Sequence, residues 1–127
     1  MNLLDASAIF NLFQNGKYSI LIGGATIPLA RYEIGNILWK NYKIRNRISK
    51  NEAIESGSVL FELIDSMAQI IPSTASTLNL ALEEDLTFYD ASYLVAAIES
   101  GRELVTDDVK LFNIVSRKVP SRKSLDL

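Results

Sequence analysis

Residues 86–108 read Leu-Thr-Phe-Tyr-Asp-Ala-Ser-Tyr-Leu-Val-Ala-Ala-Ile-Glu-Ser-Gly-Arg-Glu-Leu-Val-Thr-Asp-Asp. Ala91, Leu94, Val95 and Ile98 recur at i, i+3, i+4 and i+7, the spacing of one helix face. Thr87 is placed to cap that helix and Gly101 to end it, so the pattern predicts a helix over 88–100. Glu103 to Val105 then reads as a strand, and Asp107 or Asp108 opens a short helix through Val115. A helix feeding a short strand that feeds another helix is the unit of a parallel sheet, because parallel neighbours need a crossover connection.

The same alternation extends outward. Met1 to Leu4 predicts a strand ending at Asp5, followed by a helix over 6–14 with Ile9, Leu12 and Phe13 on one face. Ala25 to Ile27 predicts a second strand. Pro28 fits the first turn of a helix running to about Arg45, with Tyr32, Ile34, Ile37, Leu38 and Tyr42 at helical spacing. A further helix over 50–67 uses Ile54, Leu60, Phe61 and Ile64. Gln69 to Ile71 predicts a strand, and Ser73 caps a helix over 74–84 that turns Ala75, Leu78 and Leu82 inward. Arg117 to Val119 predicts a last strand, and 120–127 a frayed tail. The expected fold is α/β, a three-layer α/β/α arrangement with a short, mainly parallel central sheet, in one domain over 1–127.

Composition narrows the chemistry. The 127 residues include no cysteine and no histidine. Disulfides, thiol nucleophiles, Cys/His zinc sites and Ser-His or Cys-His catalytic pairs are therefore excluded. Carboxylates without nitrogen or sulfur ligands favour hard ions such as Mg²⁺ or Mn²⁺. No apolar run approaches the ~20 residues of a bilayer span. The start lacks a basic flank before an apolar segment, so a cytoplasmic protein away from membranes is the expectation. Charge is segregated: Lys17 to Lys50 holds seven Lys or Arg against Glu33 alone, whereas Glu52 to Asp108 holds twelve acids against Arg102 alone. A basic stretch beside an acidic centre suits a polyanion next to a metal site.

Four acids stand out by position. Asp5 and Asp108 follow apolar strands, and in a parallel sheet both emerge at the carboxyl edge, where ligands of such folds bind. Asp90 and Glu33 lie near the starts of two helices. Each also has a structural reading: Asp5, Asp107 and Asp108 as helix caps, Asp90 in a capping-box-like spacing from Thr87, Glu33 as a solvated helix residue. Caps need not share one edge of a sheet, so the set as a whole points to a metal crevice. Clustered carboxylates raise each other's pKa, and a cation relieves that cost while supplying hydrolytic chemistry.

The motifs resemble a known family. Leu3-Leu4-Asp5-Ala6-Ser7-Ala8-Ile9, Pro28-Leu29-Ala30-Arg31-Tyr32-Glu33-Ile34, Leu86-Thr87-Phe88-Tyr89-Asp90-Ala91-Ser92-Tyr93 and Leu104-Val105-Thr106-Asp107-Asp108 are similar, in order and spacing, to PIN-domain ribonucleases, especially VapC-type toxins of toxin–antitoxin pairs. The resemblance implies an Mg²⁺- or Mn²⁺-dependent endoribonuclease that uses a metal-activated water and leaves 5′-phosphate and 3′-hydroxyl ends. It implies Asp5 and Asp108 as principal ligands, Asp90 ligating or holding water, and Glu33 completing a second metal position. Ser7 and Thr106 would hydrogen-bond the acids from behind, with Asp107 beside them. It further implies an antitoxin protein and a homodimer, for which the helix bearing Phe61 and Met67 is a contact face or core. Three positions depart from the pattern: Ala6, Asp107, which could exchange roles with Asp108, and Lys110. They leave one or two ions open. Lys40, Lys43, Arg45 and Arg47 are candidates to track the RNA backbone, with a solvated helix end as the other reading. Tyr89 and Tyr93, which flank Asp90, are candidates to stack on a base, with core as the favoured reading of Tyr93.

Other phosphate-handling α/β folds fit less well. A haloacid-dehalogenase-type phosphatase wants Asp-x-Asp where Asp5-Ala6-Ser7 stands, and a receiver domain wants an Asp ending a middle strand and a Lys ending a late one. A non-catalytic PIN-like binding or dimerisation module in an RNA-linked assembly is the alternative from another class.

Overall fold

Leu3 and Leu4 have no exposed surface, and the strand that carries them, β1 (Asn2–Leu4), is the centre of the sheet. The computed structural model describes residues 1–127. β1 is flanked by β2 (Ala25–Thr26) and β4 (Glu103–Val105). β3 (Ala68–Gln69) and β5 (Ser121–Arg122) lie outside them, giving the order β3-β2-β1-β4-β5. All four pairings are parallel, with Leu3 opposite both Ala25 and Leu104.

Helices fill the crossovers. α1 (Ala6–Gln14) and α2 (Tyr18–Gly23) link β1 to β2, and α3 (Leu29–Lys43) and α4 (Lys50–Ser66) link β2 to β3. α5 (Thr74–Glu84) and α6 (Phe88–Ser100) carry the chain back across to β4, and α7 (Val109–Val115) leads to β5. Right-handed crossovers put α1 to α4 on one face and α5 to α7 on the other. The chain therefore reverses direction through the sheet between β1 and β4, and this reversal opens a crevice at the carboxyl ends of those two strands. α6 is the most enclosed helix, with every residue from Ala91 to Ala97 buried.

Local signals explain most boundaries. Asp5, Ser49, Ser73, Thr87 and Asp108 each cap a helix with a side-chain oxygen, and Ser49 forms a full capping box with Glu52. Gly101 closes α6 at φ 66°, a left-handed conformation that favours glycine. Several expectations are corrected. Residues 18–23, for which no element was expected, form a helix. On α5 the inward pair is Thr77 and Ala81, while Leu78 and Leu82 are exposed. One residue rotates a helix face by about 100°, so a sequence stripe of leucines can point outward. Ile54 and Ile98 also face solvent. Met67, just past α4, is buried and Phe61 on α4 packs on the core, so both serve the interior.

The last strand lies beyond Val119, and the segment read as a frayed tail is part of the fold. Leu104 N–H donates to Pro120 O at 3.0 Å and Thr106 N–H to Arg122 O at 3.0 Å. A short 3₁₀ turn (Ser124–Asp126) follows, with Ser124 buried. Deleting residues 121–127 is expected to cost at least ~2 kcal/mol and lower Tm by about 5–10 °C. Thermal unfolding of the truncated chain checks this, and an unchanged Tm contradicts it.

Candidate functional site

Asp5 ends β1 and caps α1. Its Oδ1 accepts from Ala8 N at 2.9 Å and from the Ser7 hydroxyl at 2.7 Å, and its Oδ2 accepts from Thr106 Oγ1. Oδ1 is thereby filled and Oδ2 keeps one lone pair. Thr106 is buried at the end of β4 and accepts from Asp108 N at 3.1 Å, so one hydroxyl ties the two acids together. Asp108 caps α7 through Oδ1, which accepts from Leu111 N at 2.7 Å, and leaves Oδ2 free. From across the crevice, α3 brings Glu33, whose Oε1 accepts from the Tyr93 hydroxyl at 2.6 Å. α6 brings Asp90, which the Thr87 cap fixes through its backbone N–H at 3.1 Å. Asp5, Glu33, Asp90 and Asp108 all line one cavity of about 540 Å³, with Lys40 and Tyr89 also on its wall.

The electrostatics follow from this crowding. Burial pushes the Asp5 carboxyl up to about 6; the bonds from Thr106, Ala8 and Ser7 pull it down, and the charge of Glu33 pushes it up. Glu33 is raised by burial, lowered by Tyr93 and raised again by Asp90. Asp90 is raised by burial and by Asp108, against Thr87 and Lys110. Repulsion thus runs in unbroken sequence from Asp5 through Glu33 and Asp90 to Asp108. Burial and the Glu33 charge drive the Tyr93 hydroxyl far upward, so it stays a donor. The ion pairs of the chain, Arg31–Asp65, Lys118–Glu84 and Arg122–Glu103, include none of the four acids.

An all-oxygen set of this kind suits a hard divalent cation. As the side chains lie, no three acids converge on a point that could hold an ion. The set closes on one only if side chains turn inward.

No family model matches the chain. It is 35% identical over 112 residues to exonuclease VapC9 of Pyrobaculum aerophilum, covering 86% of this chain and 81% of that protein. The chain belongs to the VapC-type PIN-domain family. It is also 33% identical over 122 residues to ribonuclease VapC3 of the same organism, covering 86% of this chain and 90% of that one. The crystal structure of PAE2754 from Pyrobaculum aerophilum superposes with a TM-score of 0.83 at 30% identity, over 98% of this chain and 91% of that one. VapBC-1 from nontypeable Haemophilus influenzae superposes at 0.60 over 98% of both chains; at 12% identity it speaks to the fold alone.

In this VapC-type chain the structure separates Asp107 from Asp108. Asp107 turns away from the cavity and accepts from Asn11 Nδ2 at 2.7 Å, from Ser124 N at 2.7 Å and from the Ser124 hydroxyl. Its own N–H donates to Ser7 Oγ at 3.0 Å. Asp107 therefore clasps the C-terminal turn to α1 and steadies Ser7 behind Asp5. The basic candidates are also divided. Lys40 lines the acidic cavity, Arg45 and Arg47 line a neighbouring one, and Lys43 lines neither. Tyr93 is core, the favoured one of its two sequence readings, and it also grips Glu33, which its place one turn after Asp90 could have signalled. Asn11 carries no such signal, because its partner lies 96 residues away.

The raised Asp5 carboxyl fixes a pH dependence. The folded state favours the protonated form, so this group's contribution is fully present below about 3.8 and is lost as pH rises through about 6. The gap is worth about 3 kcal/mol. In EDTA, wild-type Tm is expected to fall between pH 5 and pH 7.5, and Asp5→Asn to flatten that fall. Parallel curves for the two proteins contradict the assignment.

Proposed function

We propose that this chain is a divalent-metal-dependent ribonuclease, the toxin of a toxin–antitoxin pair, acting in the cytoplasm. Asp5, Glu33, Asp90 and Asp108 hold Mg²⁺ or Mn²⁺. The observation that carries this reading is the meeting of four carboxylates from four separate segments in one cavity, none of them ion-paired. The family assignment supports it, since two relatives are named as nucleases. An antitoxin protein that restrains the enzyme and a homodimer belong to the same proposal.

The residues divide the work. A bound Mg²⁺ or Mn²⁺ supplies Lewis acidity toward water and phosphate oxygens. Asp5 is the rigid anchor, since three hydrogen bonds fix its carboxylate. Tyr93 aims Glu33 from the opposite wall. Asp90 is held least, with only the Thr87 hydroxyl facing its carboxylate, so it is free to orient the attacking water and take its proton. Lys40 at the cavity wall offsets charge on the phosphate. The exposed Tyr89 offers a ring for a base to stack on.

The relatives' names divide between exonuclease and ribonuclease, and a circular single-stranded RNA separates the modes. With Mn²⁺, the wild type is expected to linearise it, as an endonuclease does. Asp5→Asn is expected to lose activity by about a hundredfold or more while keeping its fold, and Thr106→Ala by about tenfold. Wild-type activity in Asp5→Asn, checked on a gel beside circular dichroism, overturns the assigned site. Absence of cleavage of any RNA by the wild type favours the non-catalytic binding module.

A further inference from the structure

A second cavity, of about 420 Å³, adjoins the acidic one and shares Ser7 and Ile37 with it. It follows the seam between α1 and α3. α1 contributes Phe10, Asn11 and Gln14 along one face; Asn41 on α3, with Arg45 and Arg47 just beyond, supplies the far end. No acid lines this cavity, in contrast to its neighbour.

Asn41 organises it. Asn41 is buried, at 5% exposure. Its side-chain oxygen accepts from Arg45 Nη1 at 3.2 Å, and its backbone oxygen accepts from Arg47 N at 2.8 Å. The Arg45 bond fixes which way the carboxamide points, and its Nδ2 donors are left without a protein partner. Asn11 spends its Nδ2 on Asp107 and keeps its side-chain oxygen free. The cleft thus offers carboxamide donors and acceptors, an aromatic wall at Phe10 and two guanidinium groups.

We propose that this cleft is a nucleotide subsite for single-stranded RNA flanking the scissile bond. Arg45 and Arg47 hold a phosphate, and Asn11, Gln14 and Asn41 read the edge of a base against Phe10. This rests on the nuclease reading above and adds the direction in which the strand leaves the acids. The chemistry matches on each count. Single strands are recognised by stacking and by hydrogen bonds to exposed base edges, with cations tracking the backbone. From Glu33 to Arg45 the helix and its end advance ~18 Å, a length that a few nucleotides of single strand span. The volume lies in the range of small-ligand sites. The continuity of the two cavities favours a strand of substrate over an acidic protein segment, which would have no reason to pass the acids.

The test uses fluorescein-labelled single-stranded oligo(U), oligo(A) and oligo(C) decamers and anisotropy in EDTA, where binding is read without cleavage. The double variant Arg45→Ala/Arg47→Ala is expected to bind all three about tenfold more weakly, with a salt slope smaller by about one to two. Gln14→Ala is expected to change the ranking among the three sequences by about fivefold. Arg117→Ala, outside both cavities, is the control and is expected to bind like the wild type. If the double variant unfolds, Arg47→Gln carries the same prediction at reduced size. Unchanged RNA affinity in the double variant overturns the subsite, including the case where it loses only an acidic peptide. An equal loss in Arg117→Ala overturns it too, as generic charge. A wild type that binds through Arg45 and Arg47 yet cuts nothing with Mn²⁺ sinks the nuclease reading and leaves the subsite. A wild type that cuts while the double variant binds normally sinks the subsite alone.

Discussion

Like charges crowd the carboxyl edge of this sheet, and the rest of the structure is arranged around that fact. Asp5, Glu33, Asp90 and Asp108 share one cavity without an ion pair among them. Close pairs of carboxylates in a partly desolvated crevice repel by a few kcal/mol. The fold answers at three of them with helix N-termini: Asp5 and Asp108 cap α1 and α7, and Asp90 is in the first turn of α6, whereas Glu33 lies beyond the first turn of α3. Those three placements return ~0.3–1 kcal/mol each, which is less than the repulsion. Burial first, and the neighbouring charges after it, raise the carboxyls of Asp5, Glu33 and Asp90, and a divalent cation is the simplest group to offset that cost.

This changes how the two readings of each acid relate. Capping and ligation do not compete at Asp5 or Asp108, because a carboxylate has two oxygens. Asp108 spends Oδ1 on Leu111 N and keeps Oδ2. Asp5 fills Oδ1 and keeps part of Oδ2. The cap fixes the side chain's direction and leaves the remaining oxygen open to the cavity. Asp107, one residue away, spends its carboxylate on Asn11 and the Ser124 turn instead. Adjacent aspartates in the turn between β4 and α7 thus point in different directions, one into the cavity and one to the scaffold.

The helices with caps at both the sequence and structural level, α5 and α6, were legible almost to the residue, because Ser73, Thr87 and Gly101 act locally. The parallel sheet was legible from alternation alone. The orientation of α5 was not, since Thr77 and Ala81 are chosen for the interior by close packing on α6, and the outward Leu78 and Leu82 look more apolar. The fifth strand was expected at 117–119 and lies just beyond, because Ser121 and Arg122 lack β character and pair only where β4 offers an edge. Within the site, the convergence of the acids followed from strand ends and helix starts. The grip of Tyr93 on Glu33 and the clasp of Asp107 on Ser124 depend on tertiary approach, which no spacing encodes.

Calorimetric titration of the wild-type chain with MnCl₂, beside Asp5→Asn and Asp90→Asn, addresses the shared cation site directly. Saturable uptake of one or two ions by the wild type is expected, lost in Asp5→Asn and weakened in Asp90→Asn, with protons released more strongly at pH 5.5 than at pH 8. No uptake by the folded wild type, or equal uptake by all three proteins, would contradict it.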